Sequence, residues 1–272
     1  MKEKKVSIAV VQMSSSENKV ENGTKSIRLM DSIVLRKPDI IVFPEYNMIS
    51  TDYSKWQYIR ENAESCDGKF VESFIKYASK NRVNILCNIA ESEFGVPRPY
   101  NTSVLINSDG YISGKYRKLH LFDALGKSES SAYTMGFAPP VPFSLGDFSI
   151  GAQICYDLRF PEAARLLAVQ GAKIIIYQAG WFRGERKLDQ WRTLLRSRAI
   201  ENGIYIVASA QCGEKFTGHS MIISPYGDVV AEAGEEETVL VNEIDLSTIE
   251  KYLSEVPVLK ARRLDIYDVK GR

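Results

Sequence analysis

Glu45, Lys118 and Cys155 each stand at the carboxyl end of a segment that reads as a β-strand: two apolar strands precede Glu45 and Cys155, and one strand of a predicted hairpin precedes Lys118. Ligands of α/β sheets bind in crevices beyond the carboxyl ends of strands, so all three occupy plausible site positions. A cysteine thiol titrates near pH 8.5 and needs a base or a nearby cation before it becomes an effective nucleophile. Taken singly, each residue also has an ordinary explanation: a loop carboxylate, a solvated lysine, and a small buried hydrophobe.

The four cysteines differ in their sequence surroundings. Cys66 lies in a polar stretch that reads as a loop, Cys87 lies within an apolar strand, and Cys212 follows a strand. Cys155 follows an apolar strand and precedes a turn and a helix that opens with a proline. A strand–turn–helix elbow can hold a nucleophile exposed beside backbone N–H groups, so Cys155 is the candidate nucleophile.

Short apolar runs alternate with segments of helical spacing along the whole chain, which predicts an α/β layer structure. The two halves repeat one order of strand, helix, strand, helix and paired strands. We therefore expect two similar α/β layers packed sheet to sheet as one domain over residues 1–272. Strands are predicted at 5–13, 39–43, 83–90, 103–106, 111–119, 148–155, 173–177, 204–210, 220–224, 229–233 and 238–244, and helices at 22–35, 69–80, 161–170, 188–202 and 246–253.

Composition narrows the classes of partner. The chain is 44% hydrophobic and 25% charged, with a formal net charge of +1, which gives no electrostatic reason to expect nucleic acid or an anionic membrane surface. No run approaches the roughly 20 apolar residues of a membrane helix, and the N-terminal segment does not form a signal peptide. We expect a cytoplasmic protein with free thiols. Neither a metal nor a cofactor is expected, because the sequence has no Cys-x-x-Cys pair and no clustered histidines.

Several segments together resemble the nitrilase superfamily of carbon–nitrogen hydrolases, especially its omega-amidase and Nit-type amidase branch. The resemblance runs nearly end to end, and it implies a four-layer α-β-β-α sandwich with two mixed sheets. The segments that carry it are Phe43-Pro44-Glu45, the run from Tyr116 to Asp123 around Lys118, the run from Ile154 to Glu162 around Cys155, and Glu129 six residues before Met135-Gly136. One departure is Gln178, which stands where many relatives have proline.

This resemblance implies the role of each candidate. Cys155 would attack the amide carbonyl and form a thioester, with Glu45 as the base that later protonates the leaving amine. Lys118 and the backbone N–H of Tyr156 would stabilise the oxyanion, and Glu129 would orient Lys118 or the substrate amide.

The predicted function is hydrolysis of a small-molecule amide, possibly an omega-amide of a 2-oxo acid, with release of ammonia and a carboxylate. Tyr46 and Trp181 are candidate pocket walls beside Tyr156, and Arg159 is a candidate ligand for a substrate carboxylate. We expect at least a homodimer, with a C-terminal tail over about 255–272 in the oligomer contacts.

Four alternatives stay open at this stage. The thioester could pass its acyl group to an amine, or a nitrile could be the substrate, although the residues after Cys155 match the amidase pattern better than that of true nitrilases. The scaffold could also be a non-catalytic binding protein. A Cys–His dyad is the remaining possibility, since His120 lies two residues past Lys118.

Overall fold

Two six-stranded sheets and six α-helices form the part of the chain, residues 5–266, that the computed structural model describes. The strands are β1 (Lys5–Gln12), β2 (Ile40–Val42), β3 (Asn84–Glu91), β4 (Tyr100–Ile106), β5 (Ile112–Arg117), β6 (Phe143–Leu145), β7 (Phe148–Ile154), β8 (Ile174–Ala179), β9 (Tyr205–Ala210), β10 (Met221–Ile223), β11 (Val229–Glu232) and β12 (Thr238–Asp245). The helices are α1 (Lys19–Asp31), α2 (Trp56–Asn62), α3 (Lys69–Asn81), α4 (Pro161–Val169), α5 (Lys187–Asn202) and α6 (Ser247–Glu255).

Both sheets are mixed. The first has the strand order β12-β1-β2-β3-β4-β5, in which β1, β2 and β3 are parallel and the other pairings are antiparallel. The second has the order β11-β10-β9-β8-β7-β6, with β7, β8 and β9 parallel. The two sheets therefore repeat one arrangement, as the similarity of the two halves of the sequence predicts.

The alternation of side chains along β1 determines how the layers stack. Val6, Ile8 and Val10 face the core between the two sheets, whereas Ala9 and Val11 face the core under helices α1 and α3. Helices α4 and α5 cover the outer face of the second sheet, packing through an apolar stripe that contains Leu167, Trp191 and Leu195. This arrangement is the predicted four-layer α-β-β-α sandwich.

Strand direction brings the three candidate residues to one edge. Strand β5 is antiparallel to β4, which is antiparallel to β3, so β5 runs in the same direction as β2. The carboxyl ends of β2 and β5 consequently lie at one edge of the first sheet. The carboxyl end of β7 in the second sheet meets them across the sheet–sheet interface.

Two elements were not predicted from the sequence. Helix α2 is a short polar helix in which only Ile59 is buried, so it lacks an apolar stripe, and β6 has only three residues. The first helix begins at Lys19 rather than 22 because the Asn18 side chain caps it by accepting the N–H groups of Val20 and Glu21. It ends at Asp31, and a separate 3-10 turn follows over Val34–Arg36.

No helix within residues 5–266 is long and apolar enough to cross a membrane. Of the C-terminal tail that was predicted to make oligomer contacts, residues 267–272 lie outside the described part of the chain.

Candidate active site

Glu45 is a fully buried carboxylate held by three donors. Its Oε1 accepts hydrogen bonds from Lys118 Nζ at 2.8 Å and from Asn101 Nδ2 at 2.8 Å. Its Oε2 accepts a hydrogen bond from the backbone N–H of Gly180 at 2.6 Å, so Glu45 is also bound to the residue that follows β8. The Gln211 side chain donates to the Glu45 backbone carbonyl at 2.9 Å, so both ends of the residue are fixed.

Lys118 is a buried cation between two carboxylates. Its Nζ donates to Glu45 Oε1 at 2.8 Å, to Glu129 Oε1 at 2.9 Å and to Glu129 Oε2 at 2.7 Å. These three bonds use all three ammonium protons. Burial alone would lower the pKa of Lys118, but the charges of Glu129 and Glu45 raise it well above its ordinary value. Lys118 is therefore a permanent cation in this site.

Glu129 reaches the site from a loop rather than from a strand. It starts a short 3-10 turn and is fully buried. Its Oε2 accepts the backbone N–H of Phe122 at 2.7 Å as well as the Lys118 ammonium. Burial raises the pKa of Glu129, with Lys118 opposing and Glu45 reinforcing the shift.

Cys155 occupies the elbow between β7 and a 3-10 helix over Cys155–Arg159, and its φ of 45° lies in the left-handed region that is rare for a residue with a side chain. Such strained backbone is concentrated at functional sites. Burial raises the pKa of the Cys155 thiol well above its ordinary value, and the charge of Glu45 raises it further. Cys155 is therefore a neutral thiol at neutral pH, next to a carboxylate that can take its proton.

Asp157 connects the elbow to the segment that carries Lys118. Its buried carboxylate accepts the Ile154 backbone N–H at 3.0 Å, the Tyr116 hydroxyl at 2.8 Å and the His120 backbone N–H at 3.1 Å. The His120 ring also contacts it, with Nδ1 at 2.7 Å, and stacks on Phe160. His120 thus lies beyond the end of β5 and pairs with Asp157, and within residues 5–266 no hydrogen bond joins it to Cys155.

A pocket of about 270 Å³, including its mouth, opens above Cys155. Its walls are largely aromatic, and a cavity of this size can hold only a small molecule. The lining residues are Tyr53, Lys118, Phe122, Cys155, Tyr156, Arg159, Trp181, Phe182 and Lys187.

Two further cations face this pocket besides Lys118. The Arg159 guanidinium lies 4.8 Å from the centre of the Trp181 ring and donates to the neutral Gln190 side chain at 2.8 Å. Lys187 Nζ lies 4.8 Å from the Trp181 ring centre and 5.4 Å from that of Phe122. Among the described residues, neither cation forms an ion pair with a carboxylate. Burial and the charge of Arg159 lower the pKa of Lys187, as expected for an ammonium that has another cation and no carboxylate beside it.

The predicted wall residues lie at different depths. Trp181 and Tyr156 line the pocket, with the Tyr156 ring edge-on to Phe122 at 5.0 Å. Tyr46 lies one layer further back and lines a neighbouring cavity. It contacts the pocket indirectly, because its hydroxyl is 2.6 Å from the hydroxyl of Tyr53.

Sequence reasoning missed Asn101, Gly180 and Lys187. The only signal for Asn101 was an amide side chain in an otherwise buried strand, and Gly180 acts through its backbone. Gln178, which departs from the family pattern, is buried between the sheets and donates to the Phe43 carbonyl at 2.7 Å. It is not among the residues that line the pocket. Within residues 5–266 no group of three or more His, Cys, Asp or Glu side chains is placed to hold a metal ion.

Comparisons with known proteins identify the family of this chain. The carbon–nitrogen hydrolase family model matches residues 7–253. An omega-amidase of Saccharomyces cerevisiae is 33% identical over 282 residues, covering 97% of this chain and 95% of the relative. A nitrilase and fragile histidine triad fusion protein of Drosophila melanogaster is 35% identical over 276 residues. The match covers 98% of this chain but only 59% of the fusion protein's length. In the solved structures, a carbon–nitrogen hydrolase from Helicobacter pylori superposes with a TM-score of 0.90 at 26% identity, covering 98% of this chain and 99% of the other.

Proposed function

The chain belongs to the carbon–nitrogen hydrolase family and hydrolyses amide C–N bonds with a cysteine nucleophile; we propose that its substrate is a small amide whose far end carries a carboxylate. We further propose that Cys155, Glu45, Lys118 and Glu129 perform the reaction. The main observation in support of an anionic substrate is a pair of cations, Arg159 and Lys187. Both line the pocket of Cys155, and neither has a carboxylate partner in the described part of the chain.

The first half of the reaction transfers the acyl group to Cys155. The thiol is neutral, so Glu45 takes its proton as the sulfur attacks the amide carbonyl carbon and the C=O electron pair moves to oxygen. The tetrahedral intermediate then collapses, the C–N bond breaks, and Glu45 returns the proton to the leaving nitrogen. Ammonia leaves, and a thioester remains on Cys155.

The second half hydrolyses the thioester. Water attacks the thioester carbonyl while Glu45 accepts one water proton, and the collapse of the second intermediate breaks the C–S bond. Glu45 then returns its proton to the departing sulfur, so the enzyme is regenerated and a carboxylic acid is released. The burial of Glu45 among fixed donors suits it to this repeated transfer because its position does not change between steps.

The oxyanion needs donors at the moment it forms. Tyr156 is the second residue of the 3-10 helix, where a helical N–H has no partner within its own helix. Lys118 can contribute by exchanging one of its three bonds to Glu45 and Glu129 for a bond to the substrate oxygen. One preorganised donor of this kind is worth about 3–4 kcal/mol of transition-state stabilisation.

A substrate carboxylate would neutralise the cationic wall. Lys118 is already balanced by two carboxylates, whereas Arg159 and Lys187 pair with no carboxylate in the described part of the chain, so an anionic group is most stable near those two. The omega-amides of dicarboxylic acids, such as 2-oxoglutaramate, place an amide and a carboxylate at opposite ends of a short chain. The omega-amidase activity of the Saccharomyces cerevisiae relative supports this class of substrate.

The test compares 2-oxoglutaramate with a neutral amide of similar length, butyramide, in an ammonia-release assay. Replacing Lys187 with Met should lower kcat/KM for 2-oxoglutaramate about 10–100-fold, because a hydrogen bond to a charged group contributes about 1.5–3 kcal/mol. The same variant should change kcat/KM for butyramide less than about threefold, a difference of under 1 kcal/mol.

Lys127→Met is the matched control. Lys127 lies near the pocket but pairs with Asp52 at 3.4 Å and lines the neighbouring cavity, so its loss should affect the two amides equally. Equal losses for both amides in Lys187→Met would refute carboxylate recognition by this wall. Hydroxylamine added to the assay distinguishes acyl transfer, since a hydroxamate product would reveal an acceptor other than water.

Three broader features are also proposals. We propose that residues 1–272 form a single hydrolase domain and that the protein is cytoplasmic, supported by the four cysteines, which are all free thiols. We propose a homodimer or higher oligomer in which the tail after about residue 255 takes part. Sedimentation of the full chain and of a variant truncated after Glu255 would test the oligomer.

A further inference from the structure

The buried charge cluster contains two anions and one cation. Glu45 and Glu129 both bind Lys118, and all three side chains are at most 1% exposed. Two like charges this close repel each other strongly where water is absent. Lys118 alone leaves one negative charge uncompensated, so neutral donors must supply the remaining stabilisation.

Asn101 is placed to supply it to both carboxylates at once. Its Nδ2 donates to Glu45 Oε1 at 2.8 Å and to Glu129 Oε1 at 3.2 Å. Gly180 N–H serves only Glu45, and Phe122 N–H serves only Glu129. Among residues 5–266, Asn101 is the one uncharged group that donates to both carboxylates.

A neighbouring amide fixes which end of the Asn101 side chain faces the carboxylates. The backbone N–H of Tyr46 can only donate, so the side-chain atom of Asn88 that meets it at 2.7 Å is the oxygen. Asn88 Nδ2 therefore points the other way, to Asn101 Oδ1 at 2.8 Å and to the Thr102 carbonyl at 3.3 Å. Because Asn101 Oδ1 is engaged there, its Nδ2 must face Glu45 and Glu129.

We propose that Asn101 is a positioning residue for hydrolysis, oriented by Asn88, which keeps Glu45 and Glu129 ionised together beside Lys118. This inference rests on the proposed role of Glu45 as the base for Cys155. It follows from the direction of the hydrogen bonds. The series begins at the Tyr46 N–H and ends at the two carboxylates, and each amide side chain in it can satisfy its neighbours in only one orientation.

Loss of the Asn101 donor should make one of the two carboxyls easier to protonate. The groups that face this pair are Lys118, whose pKa is raised, and Cys155, Tyr46, Tyr53 and Tyr133, whose pKa values are raised as well. These groups keep one protonation state between pH 5 and 8. Any shift of activity in that range therefore reports on the carboxyl pair.

The test compares Asn101→Leu, Asn88→Leu and the double variant with wild type. Asn88→Leu removes the donor to Asn101 Oδ1 and adds no titratable group. We measure kcat and KM for 2-oxoglutaramate from pH 5 to 9. Over the same pH range we measure the rate at which iodoacetamide alkylates Cys155. Asn202→Leu is the control, because Asn202 is a buried asparagine whose Nδ2 donates only within helix α5.

The acid limb of kcat/KM should move to higher pH by about one to two pKa units in Asn101→Leu, as expected for losing a hydrogen bond to a charged group. Below the acid limb, a shift of one pKa unit implies a roughly tenfold loss of kcat/KM, and KM should change less than that. Asn88→Leu should shift the limb in the same direction. The double variant should match Asn101→Leu, because Asn88 acts through Asn101.

A uniform loss of kcat at every pH, or additive effects of the two substitutions, would overturn the proposal. If the wild-type protein releases ammonia from none of the amides, the proposed function is refuted, but the inference about Asn101 can still be tested. The alkylation profile of Cys155 still reports on the ionisation of its neighbours in that case, and an unshifted profile in Asn101→Leu would overturn this inference independently.

Discussion

Replacing Lys118 with Met should cost stability as well as activity. The ammonium makes three hydrogen bonds to two fully buried carboxylates, so its removal leaves two anions with no cation. Breaking a buried ion pair by removing one partner destabilises a protein by about 3–5 kcal/mol. Met fills a volume similar to that of the lysine chain, so the loss reflects charge rather than an empty cavity. Turnover should be abolished.

The stability deficit should depend on pH in a defined direction. Without the cation, burial and mutual repulsion raise the pKa of at least one carboxyl in the folded variant above the value of about 4.3 for an unfolded glutamate. The folded variant then binds more protons than the unfolded chain between those two pKa values. Its stability must fall as the pH rises through that interval. The deficit relative to wild type is therefore largest at neutral pH and shrinks toward pH 5.

Urea unfolding of wild type and Lys118→Met between pH 5 and 8 measures this deficit. Lys76→Met is the control, since Lys76 forms an exposed pair with Glu72 one helical turn away, and its loss should change stability little at any pH. A Lys118→Met protein as stable as wild type at pH 8, or with a deficit that is constant with pH, would refute the account of this charge cluster.

Two further predictions concern the nucleophile and its base. Because the pKa of the Cys155 thiol is raised, its alkylation rate should keep rising from pH 7 to 10, and a plateau below pH 7 would instead indicate a preformed thiolate. Gly180→Ala should lower kcat at least about tenfold, since a Cβ at Gly180 would lie 2.6 Å from the Tyr46 ring and displace the N–H that binds Glu45. Wild-type kcat in Gly180→Ala would show that this N–H is dispensable.

Much of the fold could be predicted because its signals are local. The apolar spacing of Phe70, Phe74 and Ala78 predicts helix α3, which runs over Lys69–Asn81. The Asp109-Gly110 turn predicts the hairpin between β4 and β5, and Gly110 has the positive φ that such a turn requires. Helix α2 could not be predicted in this way, because its position depends on contacts near the site rather than on an apolar stripe.

The residues of the candidate site also differ in whether the sequence alone could identify them. Glu45, Lys118 and Cys155 could be found because each follows a predicted strand and lies in a segment that resembles a motif of the family. Asn101 and Gly180 could not, since their role depends on which carboxylate the folded chain brings to them. The charge balance of the pocket wall could not be predicted from the sequence either, because it depends on Arg159 and Lys187 forming no ion pair within residues 5–266 rather than on any motif.

The central claim is that Cys155 carries the acyl group during amide hydrolysis. Quenching the enzyme with acid during turnover of 2-oxoglutaramate, followed by mass spectrometry of the peptide that contains Cys155, tests it most directly. We expect a mass increase equal to the acyl group on that cysteine in wild type, and neither this adduct nor ammonia release in Cys155→Ala. Ammonia release that persists in Cys155→Ala would contradict the claim.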